Sequence, residues 1–205
     1  MSVISLPLFP LSTVLFPDGA LPLQIFEVRY LDLIARCIAA DAPFGVVMLT
    51  QGSEVRTPTG AERFSSGGTL ASVQETIATA PGLLQVVCRG AARFKLVSSA
   101  LQPNGLWMSQ AELLADDLPV RIPSELQGAA DALDRVLASL QDVPPQRWPV
   151  LPPFRLDDCG WVANRWCDLL PLSSSLKYSM LMLDNPLIRL ELMHDVLDEH
   201  GLLTS

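Results

Sequence analysis

The stretch that decides the fold is residues 7–30, PLFPLSTVLFPDGALPLQIFEVRY. Four prolines alternate there with bulky apolar residues: Pro7, Pro10, Pro17 and Pro22. Proline fixes φ and has no backbone N–H to donate, so the stretch cannot form one long helix or a central strand. It predicts short extended pieces joined by bends, with a tight turn at Asp18-Gly19.

After this stretch, the first half of the chain is predicted to be mostly β structure with one early helix. Leu31, Ile34 and Ile38 recur at helical spacing, with Tyr30 and Cys37 on the same side, and predict a helix over residues 27–40. Apolar and alternating runs then predict four strands, at residues 46–49, 69–79, 83–97 and 106–114.

Glycines modify this β-rich half in two places. Gly90 lies inside a long strand pattern and predicts a bulge or sharp bend, as where a strand turns a barrel corner. Residues 51–68 are polar and contain several glycines and a proline, which predicts a long loop and a candidate for disorder.

From Ser124 the pattern becomes helical. Ser124 is predicted to cap a helix that runs to about Gln141, and a proline-rich connector with Trp148 and Phe154 follows it. The aromatic residues of this connector favour packing back on the core over service as a proline-rich ligand. Three more helices are predicted: about 157–170, from the Ser173–Ser175 cluster to about Leu183, and from the Asn185 cap with Pro186 to Gly201. The order of elements indicates an α+β fold.

Composition excludes several classes of protein. The 205 residues are 49% hydrophobic, but no apolar run approaches the ~18–20 residues needed to cross a bilayer, and the first residues lack the pattern of a signal peptide. We therefore expect a cytoplasmic protein without membrane contact. Net charge is −8, with −1 in residues 1–115 and −7 in residues 116–205, which opposes a nucleic-acid partner.

Several further motifs, in order along the chain, complete a pattern that begins at residues 7–30. The middle of the chain contains Gly82-Leu83-Leu84, Gly90-Ala91-Ala92-Arg93-Phe94, and Trp107 with Ala111-Glu112. The closing part contains 168–173 (DLLPLS) with Lys177, Asn185-Pro186-Leu187, and Arg189-Leu190-Glu191-Leu192. Together they resemble the Lon protease amino-terminal (substrate-binding) domain family over essentially the full chain, and most of all its stand-alone bacterial form, which lacks the ATPase and peptidase domains.

This resemblance implies a PUA-like β-barrel with one inserted helix, followed by a C-terminal helical bundle. The boundary is expected near residue 118, with 1–118 as the barrel subdomain and 119–205 as the bundle subdomain. Val28 departs from the family, which commonly has proline between the glutamate and the arginine. Ser175 and Leu176 depart as well, because they replace an acidic pair before the lysine.

The chain shows no catalytic apparatus in its sequence. It has neither a P-loop nor a G-x-S-x-G motif, and it ends before the ATPase and Ser–Lys peptidase domains of Lon could begin, so no enzymatic activity is expected. Ser174 and Lys177 fit S-x-x-K, but helix capping is the preferred interpretation. His194 and His200 are six residues apart on one helix, about 240° around its axis, so they cannot share a metal ion. Neither a metal nor a cofactor is expected.

The four cysteines do not form a C-x-x-C pair. All of them, Cys37, Cys88, Cys159 and Cys167, lie in apolar sequence contexts. They are therefore predicted to be small buried thiols in a reducing compartment. A redox or metal role is the less favoured alternative.

The candidate binding residues are Phe26, Glu27, Arg29 and Tyr30, between the apolar opener and the first helix. One interpretation places Glu27 and Arg29 on a peptide-binding groove. The favoured one is structural, with Glu27 at the helix N-terminus and Arg29 bonded to loop carbonyls. Arg93 is interpreted in the same structural way.

The resemblance implies a non-catalytic module that binds exposed apolar segments of other polypeptides. The alternative is a PUA-like small-molecule or RNA-binding module, which the net charge opposes where RNA is concerned. The oligomeric state and the natural client are not determined by the sequence.

Overall fold

The computed structural model describes residues 3–54, 62–140 and 148–203, and within them the chain is α+β, as predicted. Contacts divide the chain into two compact units, Met1–Asp116 and Asp117–Ser205. In the first unit the elements are β1 (Val3–Leu11), β2 (Ala20–Ile25), α1 (Val28–Ala40), β3 (Phe44–Gln51), β4 (Arg63–Ala80), β5 (Leu83–Leu101) and β6 (Trp107–Leu113). In the second they are a 3-10 turn (Ser124–Leu126), α2 (Gln127–Ser139), α3 (Cys159–Leu169), α4 (Ser174–Leu181) and α5 (Pro186–Glu199). No helix among the described residues is long and apolar enough to cross a membrane.

The six described strands form one sheet in the order β2-β5-β4-β3-β1-β6, with an additional pairing between β5 and β6. The pairings therefore run β5–β4–β3–β1–β6 and return to β5. All are antiparallel except β1 with β3. β2 and β6 share one edge of β5: β2 pairs with the first half of the strand and β6 with the second. β4 pairs along the other edge.

The prediction that the prolines exclude a central strand was wrong for β1, which continues through Pro7 and Pro10 and pairs with two neighbours. The two pairings meet only at Leu8. Pro7 lies in the part that pairs with β6, and Pro10 lies in the part that pairs with β3. Each proline therefore has a pairing strand on one side only, as proline in a sheet requires. Pro22 obeys the same rule, because β2 pairs with β5 alone.

The predicted turn at Asp18-Gly19 is confirmed. The Gly19 N–H donates to the Phe16 carbonyl at 2.9 Å, and Asp18 has φ of 61°. The bulge predicted at Gly90 is confirmed as well, since the β4–β5 register shifts between the pairs Thr69–Arg93 and Ala71–Gly90. A Cβ at Gly90 would lie 2.0 Å from the Phe16 carbonyl oxygen, so only glycine allows β5 to pass this close to the turn.

Part of the loop predicted over residues 51–68 is strand, because β4 begins at Arg63; residues 55–61 lie outside the described residues. The polar side chain of Ser65 bonds to the backbone of β3 and β4. Ser65 Oγ accepts from the Met48 N–H and donates to the Gly67 carbonyl. Gly68 lets β3 approach, since a Cβ there would lie 2.0 Å from the Val46 carbonyl oxygen.

Helix α1 buries most of its predicted apolar face, which included Tyr30, Ile34 and Cys37. Its core face is Tyr30, Leu33, Ile34 and Cys37, at i, i+3, i+4 and i+7, whereas Ile38 is exposed. This face packs into the apolar core of the first unit together with residues from β1, β3 and β5.

The helical second unit agrees with the sequence at most helix ends. Ser173 caps α4 by accepting from the Leu176 N–H, and Asn185 caps α5, whose first residue is Pro186. Ser124 is not a cap, contrary to prediction: it opens the 3-10 turn, and its hydroxyl bonds to the Glu125 carboxylate. The connector's Phe154 contacts the rings of Trp148 and of buried Trp161, but its own side chain is 39% exposed, so the prediction that these aromatics pack on the core is only partly met.

Candidate functional site

A groove of about 260 Å³ lies where β2 passes the start of α1. We call it the β2–α1 groove. Its lining is largely apolar, with two carboxylates, and consists of Phe9, Leu11, Pro22, Leu23, Gln24, Ile25, Phe26, Glu27, Tyr30 and Glu54. Three of the four predicted binding residues, Phe26, Glu27 and Tyr30, therefore line one concave surface, and Arg29 does not.

The floor of the groove is a rigid aromatic pair. The rings of Phe9 and Tyr30 stack with centroids 3.8 Å apart, and both side chains are buried. Burial raises the pKa of Tyr30 well above its ordinary value, although the neighbouring Arg29 opposes the shift. The phenol therefore stays neutral, and both rings are packed into the apolar core beneath the groove.

Phe26 forms the exposed part of the lining. It lies between the end of β2 and the Glu27 cap of α1, and its side chain is 53% exposed. Val28, the first residue of α1, is 71% exposed. Two apolar side chains thus face solvent beside a concave apolar surface, an arrangement that suits contact with another molecule.

Arg29 makes the bond to a loop carbonyl that the structural interpretation predicts. Its side chain is 5% exposed, and its Nη1 donates to the Gly105 carbonyl at 2.7 Å. Nε contacts Glu27 Oε2 at 3.2 Å, and Nη2 contacts Glu62 Oε1 at 3.4 Å. The guanidinium also lies 4.4 Å from the centre of the Tyr30 ring. Arg29 thereby ties the first turn of α1 to the turn before β6 and positions both Glu27 and Tyr30.

Two residues of this site were missed from the sequence. Glu62 accepts from Trp107 Nε1 at 2.6 Å as well as from Arg29, and Glu54 Oε1 accepts from the Ser12 N–H at 2.6 Å. Both glutamates lie in the stretch that was interpreted as a polar loop. The one available signal was the need of a buried Arg29 for more than one anionic partner.

The strongest polar cluster of the second unit is structural. Arg189 is 1% exposed and bonds to Asp117, Asn164 Oδ1 and the carbonyls of Met180 and Leu183. Every partner lies on a neighbouring segment of the same unit. Arg93 of the first unit is comparable, since it is 4% exposed and donates to a backbone carbonyl.

The S-x-x-K sequence, Ser174 to Lys177, lies in the first turn of α4 and does not itself supply the helix cap. Ser173, just before it, caps α4, and Lys177 Nζ donates to the Asp168 carbonyl at 3.4 Å, at the end of α3. Lys177 thus joins two helices. His200 Nδ1 lies 2.7 Å from the Val196 carbonyl, and the described residues contain no group of three or more acidic, histidine or cysteine side chains that could hold a metal ion.

All four cysteines are free and buried, as predicted. Burial raises the pKa of each thiol, to about 12 for Cys88 and Cys167. Thiols held neutral in this way are poor nucleophiles and poor metal ligands.

A second groove, of about 270 Å³, lies at the other end of α1. Its lining includes Cys37, Asp41 and residues 72–76 of β4. It has no exposed aromatic residue and no buried charged cluster, which leaves the β2–α1 groove as the better candidate among the described residues.

Comparison with known proteins gives the family. The family described as the ATP-dependent protease La (LON) substrate-binding domain matches residues 5–199. A crystal structure of a Lon N-terminal domain protein from Xanthomonas campestris is similar at 30% identity with a TM-score of 0.71, covering 93% of this chain and 96% of that one. The N-terminal domain of a Mycobacterium avium complex Lon protease shares the fold at 17% identity with a TM-score of 0.62, covering 96% of this chain and all of that one. No curated protein matches the sequence. The chain belongs to the Lon substrate-binding domain family.

Proposed function

We propose that this protein is a non-catalytic module that binds exposed apolar segments of other polypeptides in the β2–α1 groove. The observation that carries the proposal is the groove itself: an apolar surface with a rigid Phe9–Tyr30 floor and a half-exposed Phe26, in a chain of a substrate-binding family. Floors of this kind lose little entropy on binding, because the side chains are already ordered.

The architecture we propose for this module is a PUA-like β-barrel over residues 1–118 and a helical bundle over 119–205. Support for the barrel comes from the strand pairings that return from β6 to β5. Support for the bundle comes from the four helices that the described residues of the second unit form. A polypeptide partner and a cytoplasmic location remain predictions of the same proposal.

RNA or a small molecule is the alternative occupant. The described lining of the groove contains two carboxylates, Glu27 and Glu54, and no basic residue, which opposes phosphate. A low-salt gel shift with single-stranded RNA tests this alternative directly.

Binding can be tested with fluorescent peptides and a pair of matched variants. Phe26 has about 100 Å² of exposed surface, if its whole side chain is taken as ~200 Å². Covering all of that surface would stabilise the complex by about 2.5 kcal/mol. Covering half of it would tighten the affinity about eightfold. Phe26→Ser should weaken binding by that order. Val97→Ser is the control, since Val97 is 59% exposed on the second half of β5, away from β2.

The comparison should use a permanently unfolded client, reduced and capped with neutral carboxamidomethyl groups, beside the same protein in its native state. We expect binding of the unfolded form only. Equal binding of both forms, or equal losses for Phe26→Ser and Val97→Ser, would contradict the proposal.

A further inference from the structure

Resting on the proposed function, we propose that the β2–α1 groove selects apolar segments that carry lysine or arginine next to the docked residue. The groove contains two carboxylates, Glu27 and Glu54, and none of its described lining residues is basic. An apolar surface bordered by carboxylates attracts a peptide whose docked residue is flanked by cationic side chains, and repels one with anionic side chains there.

The nearby positive charge does not cancel this acidity. Arg29 is 5% exposed and forms ion pairs with both Glu27 and Glu62. Among the described residues, these three groups and Glu54 amount to three carboxylates and one guanidinium, a net formal charge of −2. Glu62 is 8% exposed and faces Trp107 and Arg29. The acidity available to a ligand therefore comes from Glu27, at 22% side-chain exposure, and from exposed Glu54.

A hydrogen bond from the backbone fixes the position of the Glu54 carboxylate. Its Oε1 accepts from the Ser12 N–H at 2.6 Å, directly after Leu11 of the lining. A carboxylate has about four acceptor positions, so this one bond leaves capacity for a cationic partner. A positioned carboxylate costs less side-chain entropy to pair than a mobile one.

The geometry also argues that recognition uses side chains. β2 is the edge strand of the sheet, but Pro22 in its middle has no N–H to offer an added strand. A client docked here gains its contacts from Phe26, from the other apolar side chains of the lining and from charge. Its sequence, including the flanking charges, therefore determines affinity more than its ability to form a strand does.

The test uses three labelled peptides with one apolar core and lysine, glutamine or glutamate flanks, with binding measured by fluorescence anisotropy. We expect each matched charge to tighten binding about two- to fivefold at low salt, so two lysines give about tenfold over glutamine, and glutamate binds weakest. The difference should shrink at high ionic strength, because screening shortens the reach of surface charges.

Conservative variants locate the effect. Glu54→Gln and Glu27→Gln keep an acceptor for Ser12 and Arg29 but remove one charge, and each should reduce the lysine preference about two- to fivefold. Asp41→Asn is the control: it removes one charge at the far end of α1, about 20 Å away, where asparagine tolerates the φ of 47°. Unfolding temperatures of all three variants show whether the fold is intact.

The outcomes separate the two claims. Equal affinity for the three peptides overturns charge selection and leaves apolar binding standing. An equal loss of preference in Asp41→Asn overturns the assignment to the groove. If no peptide binds, and unfolded clients do not bind either, the proposed function fails and the charge selection fails with it.

Discussion

We expect Gly90→Ala to destabilise the first unit by about 2–4 kcal/mol, a large effect for a single methyl group. The added Cβ would lie 2.0 Å from the Phe16 carbonyl oxygen and 3.2 Å from Leu15. That oxygen cannot move away easily, because it accepts from the Gly19 N–H within the tight turn, and the Phe16 side chain is fully buried.

The magnitude follows from what must shift. Two backbone bonds of 2.9 Å join the turn to β5 at this point: Asp18 N–H to the Gly90 carbonyl, and Gly90 N–H to the Gly19 carbonyl. Overpacking costs about 1–3 kcal/mol, and each weakened bond costs up to about 1 kcal/mol. Gly90 does not have a positive φ, so the loss is steric and owes nothing to backbone strain.

Urea unfolding followed by circular dichroism measures the change, with Gly82→Ala as the matched control. Gly82 has φ of 73° at the turn between β4 and β5, and nothing lies within 4 Å of its Cβ position. Its substitution tests the conformational cost alone, about 1–2 kcal/mol. If Gly90→Ala is no more destabilising than Gly82→Ala, the close approach of β5 to the turn is not what requires glycine.

Three further outcomes are expected. Gly128→Ala should stabilise by about 0.5–1 kcal/mol in the same titration, since α2 gains a helix former whose nearest neighbour is 3.8 Å away; a loss would refute this. Arg29→Leu should cost about 3–5 kcal/mol, because Glu62 stays buried without its cation, and a cost below 1 kcal/mol would disprove the network's role. Stability should fall as pH rises above 9: unfolded thiols ionise there, while burial holds the pKa of Cys88 and Cys167 near 12, so the native state binds more protons. Urea midpoints between pH 8 and 10 check this, and a flat profile would contradict it.

The features predicted best from the sequence depend on neighbours along the chain. The caps at Ser173 and Asn185, the turn at Asp18-Gly19 and the bulge at Gly90 each follow from a residue type whose backbone preference is strong. The same is true of the helix predicted over residues 27–40, which agrees with α1 in its bounds and in most of its buried face, with Ile38 as the exception.

The features that were missed depend on partners far away in sequence. β1 tolerates two prolines because its two neighbours pair with different parts of it, which nothing local reveals. Residues 63–68 look like a loop until β3 and the 2.0 Å approach at Gly68 are known. For the candidate site, Phe26, Glu27 and Tyr30 were placed together by proximity in the chain, whereas Glu54 reaches the groove only through the fold.

The divided pairing of β1 has a consequence for synthesis. Val3 pairs with Glu112, so β1 cannot complete its pairing with β6 until about 110 more residues have been synthesised. At about 5–20 residues per second, a ribosome takes roughly 5–20 s to make that partner. During this interval the apolar amino-terminal strand has an open side, and contacts of such long range form slowly. A nascent chain of this protein is thus itself an exposed apolar segment until β6 emerges, the same kind of ligand that we propose the finished groove binds.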